Sequence, residues 1–196
     1  MSGVAAIILA AGLGSRFGGE AKPLARFRGA PMLAHVLAAA QGSRARPIIV
    51  VTGHDHDAVA AACADQAVSL VYNADYRSGL AGSLKAGMRA LPEDCAGALV
   101  LLADMPLVQP ATLDALIAGA ELEPDHAAFV PVFDERRGNP VLLTRKLLPQ
   151  IEALEGDRGA GPLLRAGAGI REIPVDDPGI HLDADTPQAL AKIARE

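Results

Sequence analysis

A glycine-rich stretch with two basic residues follows the first apolar run of the sequence. It reads LAAGLGSRFGGEAKPL from Leu9 to Leu24 and carries a guanidinium at Arg16 and an ammonium at Lys22. Small residues let backbone N–H groups approach a phosphate closely, and the two cations can neutralise its charge. The stretch therefore predicts a cradle for a nucleoside triphosphate, with a tight turn bearing solvated Arg and Lys as the alternative.

Two common phosphate-binding signatures do not fit this loop. A P-loop places Lys directly after its last Gly and then Ser or Thr, whereas Glu-Ala separates Gly19 from Lys22 here and Pro23 follows. The dinucleotide fingerprint needs its third Gly at the position where Phe17 stands. A bound dinucleotide is therefore the weaker alternative.

An acidic residue follows the most hydrophobic of the predicted strands. The run AGALVLLADMP (96–106) places Asp104 just past the strand end. In a doubly wound sheet with strand order 3-2-1-4, the first and fourth strands are neighbours, and ligands gather at their carboxyl ends. The glycine loop and Asp104 should then face one crevice. Because a carboxylate repels a triphosphate unless a cation lies between them, this predicts a hard ion such as Mg²⁺.

Two more carboxylates stand near the C-terminus, in the motif HLDADTP. Asp183 or Asp185 could complete the shell of the ion, although Mg²⁺ also accepts water and phosphate as its remaining ligands. Capping of the following helix and charge at its N-terminus are the alternative for either residue. Asp104 is therefore the predicted metal ligand, and Asp183 and Asp185 are candidates for the second.

The elements that must position these residues alternate between strands and helices. Short apolar runs predict strands at 4–10, 47–53, 68–73 and 96–106. Helical spacing predicts helices at 31–41, 55–63, 82–91 and 111–120. Strands that are apolar throughout are buried on both faces, which indicates a mostly parallel sheet between two layers of helices.

Beyond Glu121 this rhythm changes. The runs AAFVPVF (127–133) and NPVLLT (139–144) predict strands separated by the short charged segment DERRG, which indicates a hairpin-like departure from the parallel order. Helices are predicted in LLPQIEAL, after GDRGAG and in TPQALAKIARE, with a strand in IREIPV. The sequence thus predicts an α/β fold with a mixed sheet in a single domain over residues 1–196.

Composition excludes several classes of protein. With 51% hydrophobic residues and no long segment free of polar ones, neither disorder nor a membrane span fits. The start lacks a basic segment typical of secretion signals, so a cytoplasmic location is expected. A net charge of −5 with only two Tyr and four Phe argues against a nucleic-acid partner. Cys63 and Cys95 are expected to be buried thiols.

Six spaced motifs resemble one known family. LAAGLGSRFGG with AKPL, GLAGSLKAG, LLADMP, RRGNPVLL, GDRGAG and LDADTP follow one another as in the MobA-like nucleotidyltransferases. Within that family the chain is most similar to the molybdenum cofactor cytidylyltransferases. The resemblance implies a Rossmann-like three-layer αβα sandwich of the nucleotide-diphospho-sugar transferase type. It also implies transfer of a nucleoside monophosphate from a Mg²⁺-bound NTP to a phosphorylated acceptor, with release of pyrophosphate.

The resemblance also implies roles for individual residues. Nucleotide binding is expected at Leu9, Ala10, Ala11, Gly12, Gly14, Ser15, Arg16, Lys22, Gly79, Gly82, Ser83 and Asp104. The catalytic groups are expected to be Arg16, Lys22 and Asp104. Acceptor binding is expected at Asn139, Arg137, Asp157 and Arg158.

The identity of the two substrates rests on single positions. Relatives that use GTP tend to read LAGG, so Ala11 favours CTP, with guanylyl transfer as an alternative and uridylyl enzymes sharing LAAG. The implied acceptor is a phosphorylated pterin such as molybdopterin. A molybdoenzyme or a chaperone is the implied recipient of the product. Gly161 departs from the family pattern, since cytidylyl relatives often have Arg there.

An NAD(P)H-dependent reductase of a quinoid pigment on the same fold is the rival from another enzyme class. Hydride transfer has no use for a metal-binding carboxylate beside the phosphates, so Asp104 argues against it.

Overall fold

The computed structural model describes residues 3–14, 17–18, 21–165, 167 and 169–195. Its strands are β1 (Gly3–Ala10), β2 (Arg26–Phe27), β3 (Ala30–Pro31), β4 (Ile48–Thr52), β5 (Ser69–Tyr72), β6 (Cys95–Leu102), β7 (Ala128–Phe133), β8 (Arg136–Arg137), β9 (Val141–Thr144) and β10 (Ile170–Pro174). Its helices are α1 (Met32–Gly42), α2 (His56–Ala62), α3 (Leu80–Arg89), α4 (Pro110–Leu122), α5 (Leu148–Glu152), α6 (Gly161–Arg165) and α7 (Pro187–Ile193). The predicted strands and helices are all present, with ends shifted by a few residues.

The main sheet has the strand order β10-β7-β9-β6-β1-β4-β5, and β8 pairs with β7. β1 is parallel to both β4 and β6, and β4 is parallel to β5. β9 lies antiparallel between β6 and β7, while β10 is parallel to β7. The first four predicted strands correspond to β1, β4, β5 and β6, so their predicted order 3-2-1-4 is the observed order β5-β4-β1-β6. The mostly parallel, mixed sheet is likewise confirmed.

Alternate residues of β1 face two different cores. Ala6 and Ile8 pack with side chains of α1, α2 and α4 on one side of the sheet. Ala5 and Ile7 pack with α3 and α5 on the other side. Helices therefore cover both faces of the sheet, and the molecule is a three-layer αβα sandwich. Because both of its faces are buried, β1 is apolar throughout.

A third, smaller core lies beside the glycine loop. Phe17, Phe27 and Met32 pack there with Leu190 and Ile193 of α7. The short β2–β3 ribbon contributes to this core and has no counterpart in the prediction, because two-residue strands are too short to show a periodic pattern. The cluster holds the C-terminal segment against the loop that carries Lys22.

The charged segment DERRG forms a tight β7–β8 hairpin. Asp134 and Glu135 both have positive φ, 50° and 58°, as a type I′ turn requires. This confirms the predicted departure from parallel order.

Cys63 and Cys95 are buried free thiols, as predicted, and burial raises the pKa of both. Within the described ranges, every helix is too short or too polar to cross a membrane.

Candidate nucleotide-binding site

A cavity of about 960 Å³ opens at the carboxyl ends of β1 and β6. Its size is at the upper end for small-molecule sites, which suits two substrates side by side. The predicted site residues that line it are Leu9, Ala10, Ala11, Gly12, Gly14, Lys22, Gly79, Ser83, Asp104, Asp183, Asp185, Arg137, Asn139 and Asp157. Side chains and loops from distant parts of the chain thus meet at the predicted edge of the sheet.

Of the other four predicted residues, two line separate cavities and two are outside the described residues. Ser15 and Arg16 lie outside the residues that the structure describes. Gly82 lines a separate cavity of about 500 Å³. Arg158 lines an adjoining cavity of about 340 Å³, which shares Arg137 and Asn139 with the main one.

Lys22 is the cation at the centre of the described part of the site. A 3-10 turn over Lys22–Leu24 begins here, and the Lys22 Nζ atom donates to Asp104 Oδ2 at 2.6 Å and to Asp185 Oδ1 at 2.8 Å. Burial by itself would lower the pKa of Lys22, but the attraction of Asp104 and then Asp185 outweighs it, so the pKa is raised. Lys22 therefore carries its charge throughout the physiological range.

Asp104 has one carboxylate oxygen that no described residue contacts through a hydrogen bond. It lies two residues beyond β6, and its side chain and that of Lys22 are each only 19% exposed. Whereas Oδ2 pairs with Lys22, Oδ1 is buried and has no hydrogen-bond partner among the described residues. A buried carboxylate oxygen without a partner is costly, which marks this atom as the place for a cation or a donor from a ligand.

The C-terminal acids reach Asp104 through the backbone. The Ala184 N–H donates to the Asp104 carbonyl at 2.9 Å, which places Asp183 and Asp185 on either side of this contact. Partial desolvation raises the pKa of Asp183, and the negative charges of Asp185 and Asp104 raise it further. The three carboxylates therefore repel one another, and a cation among them would relieve the repulsion.

A divalent metal fits this set only with ligands from a substrate. Across the described ranges, no three His, Cys, Asp or Glu side chains are arranged to enclose a metal ion. Mg²⁺ is commonly held by one or two carboxylates together with water and substrate phosphates. Asp104 Oδ1 with Asp183 or Asp185 satisfies that requirement.

The glycine loop leaves open space above β1. A Cβ atom built on Gly12 would meet no atom within 4 Å, so a ligand can approach the backbone there. Gly79 has φ 99°, and a Cβ on it would lie 2.5 Å from Asp157 Oδ1. Only glycine allows the segment before α3 to approach the Gly156–Arg158 turn this closely.

Tyr76 and Arg77 line the cavity although the sequence analysis did not select them. The Tyr76 ring makes an edge contact with His54, with centroids 5.7 Å apart, and the Arg77 guanidinium lies 5.4 Å from the centre of the same ring. Their motif, NADYRSG, places an aromatic ring and a cation just before Gly79, the residue that precedes α3. This motif is the sequence signal that could have identified them.

Asp177 is a second residue that the sequence analysis missed. It is 2% exposed and accepts hydrogen bonds from the Gln109 N–H, the Thr112 hydroxyl and the Gly179 N–H. These bonds fasten the C-terminal segment to the start of α4. Asp177 therefore positions the loop that presents Asp183 and Asp185.

The adjoining cavity combines an apolar floor with guanidinium groups. Val100, Val130 and Val141 of the sheet line it together with Arg158 and Arg165. Arg137, which lines both cavities, is held by Glu172 at 2.6 Å and by the Leu164 carbonyl at 3.1 Å. An anionic ligand with an apolar body would suit this composition.

Comparison with known proteins identifies the family. Residues 6–172 match the model of the MobA-like NTP transferase domain. The chain is 35% identical over 173 residues to the bifunctional protein GlmU of Halorhodospira halophila, covering 85% of this chain and 36% of that protein. For GlmU of Desulfotalea psychrophila the identity is 30% over 175 residues, covering 85% and 50%. The chain thus spans half or less of the length of these curated relatives.

Solved structures agree with the fold along the whole chain. Rv0371c from Mycobacterium tuberculosis superimposes with a TM-score of 0.85 at 27% identity, covering 99% of both chains. A structure of the same protein in complex with manganese gives a TM-score of 0.82 at 25% identity, covering 100% of this chain and 99% of that one. A nucleotidyl transferase from Methanothermobacter gives 0.83 at 25% identity, covering 100% and 97%. The chain belongs to the family of MobA-like NTP transferase domains.

Proposed function

We propose that this protein is a nucleotidyltransferase that moves CMP from CTP to a phosphorylated acceptor of the molybdopterin type and releases pyrophosphate. The observation that carries the proposal is the buried Asp104 Oδ1, which has no hydrogen-bond partner in the described part of the chain and lies beside the Lys22 ammonium in the cavity that the glycine loop lines. This combination can hold a polyphosphate and a cation together, whereas hydride transfer from NAD(P)H would use a phosphate site but has no use for the cation. The MobA-like domain match supports the same reaction class.

The reaction requires positioning and charge neutralisation more than covalent help. A phosphate oxygen of the acceptor forms a bond to the α-phosphorus of the nucleotide, and the bond to the bridging oxygen breaks as pyrophosphate leaves. Backbone N–H groups near Gly12 and the Lys22 ammonium stabilise the negative charge on the phosphates. A general base is unnecessary because a phosphate nucleophile is already ionised at neutral pH.

We propose Mg²⁺ as the metal, held by Asp104 and by Asp183 or Asp185. Bound there, it would neutralise charge on the nucleotide phosphates. Because Lys22 already pairs with Asp104 Oδ2 and with Asp185, Asp104 Oδ1 is the oxygen that no described residue engages. Titration of metal binding with Asp183→Asn and Asp185→Asn, each in the presence of nucleotide, identifies the second ligand as the position whose change weakens binding more.

The choice of substrates rests on the loop and on the arginines. Ala11 in LAAG favours CTP over GTP by its resemblance to cytidylyl enzymes. The apolar floor with Arg137, Arg158 and Arg165 offers a place for the ring and the anionic groups of a pterin phosphate. Asn139 and Asp157, which line the main cavity, are proposed to contact the same acceptor.

The deciding experiment incubates the purified protein with each of the four NTPs, Mg²⁺ and a molybdopterin acceptor. We expect pyrophosphate release and a dinucleotide product with CTP, with less from GTP and UTP. EDTA should abolish both signals. Absence of pyrophosphate with every nucleotide, together with NADPH oxidation in the presence of a quinoid dye, would replace the transferase by the reductase.

A further inference from the structure

Two arginines at the adjoining cavity have no partner in the described part of the chain. Elsewhere the Arg44 guanidinium pairs with carboxylates, and the Arg145 guanidinium donates to three backbone carbonyls. Arg158 and Arg165, by contrast, make no hydrogen bond or ion pair with any described residue, and both line the cavity of about 340 Å³. Because the chain has a net charge of −5, uncompensated positive charge beside this apolar floor suits an anionic ligand.

The Arg165 guanidinium takes its place because position 161 has no side chain. Helix α6 runs over Gly161–Arg165, so its first and last residues lie one turn apart on the same face. A Cβ atom built on Gly161 would lie 3.3 Å from Arg165 Nη1 and 4.0 Å from Arg165 Cζ. The guanidinium therefore lies back across the first turn of the helix, in space that a larger residue at 161 would take.

Arg137, the third arginine of this cavity, is already paired. Its Nε atom donates to Glu172 at 2.6 Å, and its Nη1 atom donates to the Leu164 carbonyl at 3.1 Å. It lines both cavities, whereas Arg158 and Arg165 line the adjoining cavity and not the main one. In the proposed reaction the phosphate of the acceptor must lie in the main cavity, beside the nucleotide. The two unpaired guanidinium groups are thus left for a different group of the acceptor.

We propose that Arg158 and Arg165 bind a second anionic group of the acceptor, and that Gly161 determines this specificity by leaving room for the Arg165 guanidinium. The inference rests on the proposed nucleotidyl transfer and narrows the acceptor to one chemical class. That class is a phosphate ester with an apolar body, which lies on Val100 and Val141, and a further negative charge away from the phosphate. Guanidinium groups that are merely solvated would treat acceptors with one and with two anionic groups alike.

Two aromatic phosphates that differ by one acidic group test the proposal without turnover. Phenyl phosphate carries the phosphate alone, and para-carboxyphenyl phosphate adds a carboxylate at the far end of the ring. Titration of the purified protein with each ester, followed by NMR, gives two dissociation constants. We expect the wild-type protein to bind the carboxylated ester about tenfold more tightly, because a charge-assisted hydrogen bond contributes about that much to affinity.

Changes at the two ends of α6 should alter this preference in a graded way. Arg165→Gln removes the charge and should lower the preference to about twofold or less. Gly161→Ala keeps Arg165 but places a methyl group against its guanidinium, so the preference should fall to an intermediate value. Gly161→Arg combined with Arg165→Gln returns a guanidinium to the same turn and should restore most of the preference. A glycine needed only for folding would show no such rescue.

Arg171→Gln is the matched control. Arg171 is also an exposed arginine, but it pairs with Glu123 at 2.9 Å and lines neither substrate cavity. Its loss should leave the preference for the carboxylated ester unchanged. Thermal melts show which variants fold. If the changes at position 161 prevent folding, Arg165→Gln alone still decides whether this guanidinium binds the second anionic group.

The outcomes separate this inference from the proposed function. A wild-type preference below about twofold, or an undiminished preference in folded Arg165→Gln, would overturn the inference and leave the transferase intact. If the transferase is correct, Arg165→Gln should also raise KM for the molybdopterin acceptor about tenfold while KM for CTP stays within about twofold. If the wild-type protein releases no pyrophosphate with any nucleotide, the proposed function fails, and the two esters still decide the inference by binding.

Discussion

Two charged regions of this protein join opposite charges in different surroundings. In the cavity cluster, formed by Lys22, Asp104 and Asp185, the Lys22 and Asp104 side chains are each 19% exposed and that of Asp185 is 54% exposed. In the surface pair, Arg89 of α3 contacts Glu152 of α5 through two hydrogen bonds, one of them 2.8 Å from Nε to Oε1, and the side chains are 65% and 39% exposed. The main difference between the Lys22–Asp104 contact and the surface pair is access to water.

This difference separates a candidate functional site from a solvated contact. The surface pair raises the pKa of Arg89 and lowers that of Glu152, yet water screens both charges and such pairs contribute little to stability. The cavity cluster holds the Lys22 and Asp104 charges where desolvation is costly, and among the described residues one oxygen of Asp104 has no partner. An arrangement that is poor for stability and suited to a charged ligand indicates a binding site.

Loss of the Asp104 charge should have the largest effect. In Asp104→Asn the side chain keeps its shape, but its spare oxygen no longer attracts a cation, and the Lys22 pair is broken. We expect kcat/KM for nucleotidyl transfer to fall about 100-fold or more, as a charge-stabilising interaction worth several kcal/mol is removed. Pyrophosphate release at saturating Mg²⁺ measures the change.

The matched control for this change is Asp114→Asn. Asp114 lies on the surface, where its Oδ1 accepts from the Arg44 N–H at 2.7 Å, a contact that an Asn side chain can keep. We expect its activity to stay within about twofold of wild type. Equal losses in the two variants would show that the cavity cluster is no different from a surface pair.

The Lys22 ammonium should come next in size. Lys22→Met keeps most of the length and removes the charge, so the phosphates lose one counter-charge while the cavity keeps its shape. We expect kcat/KM to fall by about 10- to 100-fold, mostly through KM for the nucleotide, because an ion pair with phosphate is lost. An unchanged KM with a lowered kcat would instead assign Lys22 to the transition state alone.

The fold was predictable because its signals are long and repeated. β1 and β6 are each eight residues of nearly unbroken apolar sequence, and their burial on both faces is what a parallel sheet between helices requires. The β2–β3 ribbon was not predictable, since its strands are two residues long. Strand β6 ends at Leu102, within the apolar run 96–106, because the chain turns there and leaves Asp104 past the strand end, as predicted.

The site was predictable where a motif marks the end of a strand. Lys22, Asp104 and Asp185 were selected from separate segments, and the structure joins them by hydrogen bonds. Asp177 was not selected, because it acts through hydrogen bonds to partners that only the folded chain brings close. That Lys22 lies between two of the predicted metal ligands was likewise invisible in the sequence, since spacing along the chain does not give distance across it.

Removal of the repulsion between Asp183 and the acids of the cavity cluster should have a small effect on stability. The pKa of Asp183 is higher in the folded protein than its ordinary value of 3.8, so its charge destabilises the native state above the folded pKa. In metal-free buffer at pH 7, Asp183→Asn should raise Tm by on the order of 1 °C, since solvent screens this exposed group. The gain should vanish as the pH falls through the folded pKa toward 3.8. A gain that persists at that pH would show that charge is not its cause.

The surface pair should respond least. In Arg89→Gln the contact with Glu152 loses its charge, but both side chains already meet water, so neither Tm nor kcat/KM for nucleotidyl transfer should change measurably. Glu152→Gln removes the other charge of the same pair and should likewise leave Tm unchanged. Because salt screens exposed charges, the Tm difference between each variant and the wild type should stay near zero up to about 0.5 M salt. If activity fell as much in Arg89→Gln as in Lys22→Met, loss of the surface pair would have to affect the cavity through α3, which carries both Arg89 and Ser83. Access to water would then no longer distinguish the two regions. The effect of the cavity cluster on activity would have to be explained by the position of its residues in the chain instead.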